Sequence, residues 1–478
     1  MAFGLRPLLR CYPFQIEDRH RVGEGNGSVE TIERACAIRG QGAGEIRGGI
    51  LALANGRLQQ PTNVGLPGAP GGALQAANNL NQIAKAAWDC ADPGMQYDTI
   101  INNWHTCPNS GRINASNPCS EYMHVDNSAC NLASINLMKF RRDDGSFDTD
   151  GFTAVVDTVF LAQEIAVGFS SYPTEEIGVN ANAFRQLGLG YANLGALLMS
   201  NGMPYDSDEG RNVAAAITAL MTGRAYRRSA EIAAAMGTYE HYEVNREPHN
   251  NVMRMHRDAS HEIGEEGVHD ELLDAARAEW ETAVELGEDH GYRNAQATVL
   301  APTGTISFLM DCDTTGIEPD FSLVKFKELV GGGSMTIVNQ TVPMALRNLD
   351  YSEAEIAQII AHIKETNTIV GAPGLKDEHL SIFDVAVGER AISHMGHIDM
   401  MSATQPFLSG AVSYTHLRAH ETVLDLVCRL LLEKKNHYHS STRFFTHRQH
   451  LPSSSQYRHT MTLNMLQQSR PTNRIHNL

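Results

Sequence analysis

The chain lacks any run of 18 or more apolar residues, which argues against a membrane-spanning helix. Its first residues, Met1 to Arg10, lack a long apolar core followed by a small-residue cleavage site, so the sequence reads as cytoplasmic rather than secreted. Cysteine is scarce: eight in 478 residues are too few for a disulfide scaffold. Positive charge is also short. With 38 Lys+Arg against 55 Asp+Glu the net charge is −17, which argues against bulk binding to a nucleic-acid polymer, since that needs a basic face. What remains is an ordinary soluble globular composition, 42% apolar, at a length suited to two to four domains.

Glycine divides the chain further. From Val412 to Leu478 there is none, and this stretch has nine Lys/Arg, three Asp/Glu and eight of the 21 histidines. It has no apolar period beyond Leu424 to Leu432 and ends in Gln, Ser, Asn and His clusters. Readings as a basic arm or a His-rich metal tract are weak, because the histidines are scattered and no Cys pair stands beside His416 and His420. Val412 to Thr422 and Leu426 to Lys435 instead look like a translated sequencing adapter, so residues 412–478 are expected to be a non-native, disordered tail. Residues 1–77 form an unassigned leader, read as flexible or misframed. Its Gly23–Gly27 and Gly40–Gly44 clusters have no strand before them or helix after them, as a phosphate loop would need.

Residues 78–411 read as the folded part. Asn79–Cys90, Phe152–Phe169, Ala181–Ser200, Asp208–Met236 and Asp270–Gly291 carry helical periods, while Asn131–Phe140 and Ala297–Leu300 read as strands. Strands alternating with helices predict an α/β architecture.

Two segments carry chemistry. In the first, Asn117-Pro118-Cys119-Ser120-Glu121, Pro118 disfavours helix at Asn117, so the piece is expected to be extended or looped. If it is extended, residues two apart share a face, lining up an amide, a thiol and a carboxylate. Cys119 then suits a nucleophile or hydrogen-atom donor, Glu121 a general base, and Asn117 a hydrogen-bonding orienter. The turn signal at Val125–Ser128 lets the chain double back and bring Cys130 near Cys119. A zinc site from His105, Cys107, Cys119, His124 and Cys130 is a rival, though no closely spaced Cys pair supports it. In the second segment, strand Ala297–Leu300 runs into Pro302-Thr303-Gly304-Thr305-Ile306, a neutral loop whose amides and hydroxyls suit an anion in an otherwise acidic chain. A plain strand-end turn is the alternative.

Asn117-Pro-Cys-Ser-Glu-Tyr-Met123, with Ala129-Cys-Asn-Leu-Ala-Ser-Ile-Asn-Leu137, closely resembles the finger loop of class II, adenosylcobalamin-dependent ribonucleotide reductases. Asn294–Leu300 and Ala301–Asp320 resemble that family's substrate-phosphate loop and its flanks. Phe184–Tyr191, Pro204–Gly210, Val330–Gly333, Val338–Pro343, Tyr351–Glu353 and Gln405–Gly410 extend the likeness. The resemblance implies the later part of a ten-stranded α/β barrel with a central finger loop and surrounding helices. It makes Cys119 the thiyl-radical cysteine that abstracts the ribose 3′ hydrogen. Glu121 takes the 3′-hydroxyl proton, Asn117 hydrogen-bonds the ribose, and Cys130 is one of two reducing cysteines. Residues 117–121 and Pro302 to Ile306 are then substrate-binding. Adenosylcobalamin is the implied cofactor, a ribonucleotide the substrate, and thioredoxin or a similar dithiol the reductant; a homodimer is compatible with the pattern.

The family's N-terminal region, its upstream redox cysteine and its terminal Cys pair have no counterpart here, so the chain is expected to be an incomplete enzyme without turnover. A class I large subunit is the second reading, although the wording Asp311-Cys-Asp-Thr-Thr-Gly316 favours class II.

Overall fold

The computed structural model describes residues 50–54, 57–58, 82, 94–328 and 334–408. The helix expected over Asn79–Cys90 (Gln82 apart), the glycine clusters of the leader, Val330–Gly333 and everything from residue 409 onward lie outside the described residues.

A small antiparallel sheet comes first. Strand β1 (Ile50–Ala54) lies between β2 (Arg57–Leu58) and β3 (Gly94–Tyr97), and α1 (Asp98–Asn103) follows. The central feature is parallel. Strand β4 (Asn131–Asn136) runs beside β5 (Leu187–Ala192), pairing Asn131 with Leu187 and Asn136 with Ala192. Residues 297–300 flank β5 on its other side through the parallel bridge Leu189–Thr298 and the bond Val299 N–H to Leu189 O, 3.0 Å. Parallel neighbours need long crossovers. Here α2 (Thr149–Phe169) and α3 (Glu175–Phe184) connect β4 to β5. Between β5 and residue 297 come α4 (Leu194–Ser200), α5 (Asp208–Met236), α6 (Tyr242–Ser260) and α7 (Asp270–His290). The chain continues through α8 (Gly304–Leu309), the hairpin β6 (Val324–Glu328) and β7 (Ser334–Val338), then α9 (Thr341–Asn348), α10 (Glu353–Thr366) and α11 (His394–Thr404). The mixed α/β reading therefore holds.

Several local expectations change. Ala181–Ser200 is not one helix: α3 ends at Phe184, Arg185 takes a left-handed φ of 53°, and β5 intervenes before α4. Every residue of β5 is buried, so the polar/apolar alternation that identifies a strand is missing. The strand expected over Asn131–Phe140 stops at Asn136, whose side chain accepts from Met138 N–H and starts a short 3₁₀ turn over Leu137–Phe140. Helix α5 fills its expected bounds, capped by Ser207, whose Oγ accepts from Gly210 N–H at 3.0 Å. Contrary to the expectation that no helix could span a membrane, α2 has the length and apolarity to cross one, with a mean hydropathy of 1.5 over 18 residues. One face of α2 packs inward, and about a third of its most apolar window is buried. Phe152, Val156 and Phe160 are fully buried, and its Glu164 accepts hydrogen bonds from Arg185, Arg293 and Asn294.

The parallel strands have two unlike faces. Ala133, Ile135, Leu187, Leu189 and Tyr191 pack into the main core with the helices. Tyr191 Oη lies 2.9 Å from Thr218 Oγ1 of α5, and Thr298 Oγ1 lies 3.0 Å from Thr222 Oγ1 of the same helix. Across α5, Arg224 bonds Asp157 of α2 and Glu279 of α7, tying three helices together. The opposite face carries Leu132, Gly188 and Gly190 in alternation with these residues.

Candidate active site at the cysteine turn and the Thr-Gly-Thr loop

Asn117 to Glu121 is a turn, not an extended strand. Ser120 N–H donates to Asn117 O at 3.0 Å, Asn117 N–H donates to Tyr122 O at 3.3 Å, and an antiparallel bridge joins Ser116 to Met123. Pro118 and Cys119 are therefore the middle residues of a β-turn at the tip of a short hairpin, and Ser120 follows at φ 66°. The strand-like alternation proposed for Asn117, Cys119 and Glu121 does not apply. Pro118 does keep the segment out of a helix, but it also suits the second position of a turn, and the reversal followed from that. Gln96 of β3 braces the hairpin, its Nε2 donating to Ser116 Oγ (3.0 Å) and Ser120 Oγ (3.1 Å).

The turn presents its groups unequally. Asn117 Oδ1 accepts from Tyr122 N–H at 3.0 Å, so the amide oxygen is used within the hairpin. Cys119 and Ser120 are half-buried, while Pro118 is exposed. Glu121 is 3% exposed, and among the described residues its buried Oε2 has no hydrogen-bond partner. A carboxylate oxygen in that position carries a desolvation cost unless another group satisfies it. After the hairpin, Asn127 turns with φ 53°, Ser128 Oγ accepts from Tyr122 Oη at 2.8 Å, and the chain enters β4. Cys130 sits at that entrance with its Sγ against Gly188: a Cβ on Gly188 would lie 2.4 Å from it. Burial, and then the nearby Glu121 charge, push the Cys130 thiol far above its ordinary range, so it stays protonated near neutral pH.

The zinc reading does not find its geometry. Among the described residues no group of three or more His, Cys, Asp or Glu is arranged to hold a metal. His105 Nε2 bonds Gly111 O at 2.9 Å, His124 Nδ1 accepts from Gln186 Nε2 at 3.1 Å, and Cys107 Sγ lies 3.4 Å from Tyr239 Oη. Burial lowers the His105 pKa to about 4 and raises the Cys107 thiol to about 11. These side chains belong to a buried aromatic core.

The second segment lies at the carboxyl end of residues 297–300, the end where parallel α/β sheets bind ligands. Pro302 is half-buried, and Thr303 is buried in a left-handed conformation, φ 53°, as the residue before α8. Its Oγ1 accepts from Gly316 N–H at 2.7 Å and lies 2.8 Å from Ser307 Oγ. Gly304, Thr305 and Ile306 form the first turn of α8, with Thr305 and Ile306 exposed. Cys312 closes back on this turn, its N–H donating to Ser307 O at 2.9 Å, and burial raises its thiol to about 11. Asn136, at the far end of the strand that Cys130 enters, donates from Nδ2 to Met310 O at 3.1 Å and so connects the two segments. Sequence reasoning missed Gln96, Asn136, Asn193 and Thr314. The available signal was an asparagine closing each of two apolar strands, at Asn136 and Asn193.

A parallel α/β core, with a cysteine hairpin leading into one strand and an amide-rich loop leaving another, is compatible with part of an α/β barrel. The chain belongs to the ribonucleotide reductase family: residues 70–432 match the family's barrel domain. It is 57% identical over 347 residues to a vitamin B12-dependent ribonucleotide reductase of Streptomyces avermitilis, covering 72% of this chain and 36% of that protein. A protein of the same description from Rhodopirellula baltica is 58% identical over 340 residues, covering 70% of this chain and 33% of that protein. A vitamin B12-dependent ribonucleoside-diphosphate reductase of Mycobacterium tuberculosis is 30% identical over 354 residues, covering 74% and 44%. The chain thus spans about a third of the length of the first two relatives.

Proposed function

We propose that the chain carries the substrate-radical part of an adenosylcobalamin-dependent ribonucleotide reductase, as a segment of the ten-stranded barrel with the 116–123 hairpin as its finger loop. The observation that carries the reading is the cysteine hairpin itself: a half-buried Cys119 at the tip of a braced turn, two residues from a buried carboxylate oxygen that has no hydrogen-bond partner among the described residues. The residues present fit the cofactor's requirement in this respect, since the thiol to be oxidised lies at a turn tip and not in the packed core. One-electron oxidation of that thiol is the chemistry adenosylcobalamin supplies when bound.

The chain's own groups account for the remaining roles. Cys119, as a thiyl, abstracts the ribose 3′ hydrogen. Glu121 accepts the 3′-hydroxyl proton through its buried Oε2 as water leaves C2′, and Asn117 Nδ2 donates to a ribose oxygen. Cys130 supplies a reducing equivalent, a role suited to a thiol held in its S–H form by burial and the Glu121 charge. The amides of Gly304 to Ile306 receive the phosphates, because the first N–H groups of a helix have no partner within it. Thioredoxin or a similar dithiol re-reduces the enzyme. The vitamin B12-dependent descriptions of the relatives favour this reading over a class I large subunit.

The radical step is tested by mixing the chain with adenosylcobalamin and a ribonucleotide and following cobalt–carbon homolysis by electron paramagnetic resonance. A cobalt(II) signal that is lost in Cys119→Ser but retained in Cys130→Ser is expected. A signal indifferent to Cys119 would sink the assignment.

A further inference from the structure

Asn193 stands immediately before α4, where an asparagine ordinarily accepts a hydrogen bond from the helix's own first turn. It does not do so here. The residue is 2% exposed and holds a left-handed φ of 76°, and its amide is directed to other elements. Asn193 Oδ1 accepts from Thr314 N–H at 2.9 Å and from Thr314 Oγ1 at 3.4 Å, and Asn193 Nδ2 donates to Asn136 Oδ1 at 3.0 Å. Asn136 in turn donates to Met310 O. Thr314 Oγ1 completes the set by accepting from Ala196 N–H at 3.3 Å.

We propose that Asn193, Asn136 and Thr314 form a clamp of positioning residues that holds the phosphate-binding turn in register with β4, the strand that Cys130 leads into. The proposal rests on the reading of residues 302–306 as that turn. The segment from Thr303 to Gly316 is fastened at three places: Thr303 to Gly316, Met310 to Asn136, and Thr314 to Asn193. Asn136 is the last residue of β4 and Asn193 directly follows β5, its parallel neighbour, so the clamp transmits the register of the two strands directly to the loop. Asn136 also alternates onto the same face of β4 as Leu132, and by the same alternation as Cys130. A consequence follows for the loop's own threonines. The Thr303 hydroxyl is engaged within the loop, so phosphate recognition falls to the backbone amides of Gly304 to Ile306.

The Asn193–Asn136 and Asn193–Thr314 bonds lie between buried polar groups, so losing one partner leaves another group unsatisfied and lets the loop shift. The test compares binding of CDP and of cytidine to the chain by calorimetry. Thr314→Val keeps the side-chain shape but removes the hydroxyl; it is expected to weaken CDP binding about fivefold and leave cytidine binding unchanged. Thr314→Ser should stay within about twofold of the parent for both ligands. Asn193→Ala should exceed the Thr314→Val effect on CDP. If Thr314→Val and Asn193→Ala bind CDP as the parent does, or lose CDP and cytidine equally, the clamp is overturned while the phosphate turn survives. A parent chain with no preference for CDP over cytidine overturns the phosphate turn, and the clamp with it.

Discussion

The two faces of the β4–β5 pair are built by opposite rules. Toward the helices, Leu187, Leu189 and Tyr191 have no exposed surface and lock the strands to α5. On the other side the same strand shows glycine at positions 188 and 190, and Leu132 of β4 remains 53% exposed. One face is filled to the density of a protein interior. The other is kept thin, so backbone and sulfur can come close. The difference teaches that β5 is at once a structural strand and a close backing for Cys130, and that substitutions on its two faces should fail for different reasons.

The largest expected effect comes from thickening the thin face. A Cβ on Gly190 would lie 2.3 Å from the carbonyl oxygen of Val299, a backbone atom that cannot swing aside. Gly190→Ala should therefore push residues 297–300 off β5 and destabilise the chain by about 3 kcal/mol, read as a lower urea midpoint. Leu189→Ala, one residue away, should cost a similar amount by leaving a cavity. A Gly190→Ala chain as stable as its parent would show that the close approach is not required, and the contrast between the faces would lose its basis.

The fold and the site were unequally legible in the sequence, for physical reasons. Helix α5 was readable to its ends because its Ser207 cap, acidic first turn and following Gly237 are local signals. Helix α6 was not anticipated, because the side chains it buries include Asn245, His249, Asn250 and His256, a polar face that apolar periodicity cannot reveal. It also contains Pro248, which ordinarily marks a break. Strand β5 was hidden by being buried on both faces. The residues of the cysteine segment were recognisable as a motif, but their geometry was not: Pro118 fits an extended strand and a turn equally well, and only the Gln96 brace and the Ser116–Met123 bridge decide between them. The loop's threonines were visible, whereas the two asparagines that fasten the loop act across 174 and 121 residues of chain.

A smaller effect sharpens the comparison through chemistry. Cys130 lies on the thin side, yet burial and the Glu121 carboxylate both disfavour its thiolate. Alkylation proceeds through the thiolate, so at pH 8 Cys130 should react with iodoacetamide at least about tenfold more slowly than a cysteine in a model peptide. Its rate should still be climbing above pH 9, where the peptide levels off. Glu121→Gln removes one of the two causes, lowers the pKa and should speed the reaction, as followed by mass spectrometry of the peptide containing Cys130. An unchanged rate in that variant would separate Glu121 from Cys130 electrostatically and weaken their assignment to one site.

The smallest effect is the most diagnostic of what the thin face is for. Leu132 pairs with Gly188 across the strands and is half exposed, so replacing it with serine removes little buried apolar area. Leu132→Ser should change stability by no more than about 0.5 kcal/mol, against the larger loss from Leu189→Ala on the packed face. Urea unfolding of the two variants measures that ratio directly. If Leu132→Ser proves as costly as Leu189→Ala, then Leu132 is buried in solution, the two faces are equally packed, and Cys130 beside it would be a core residue with no access to a substrate.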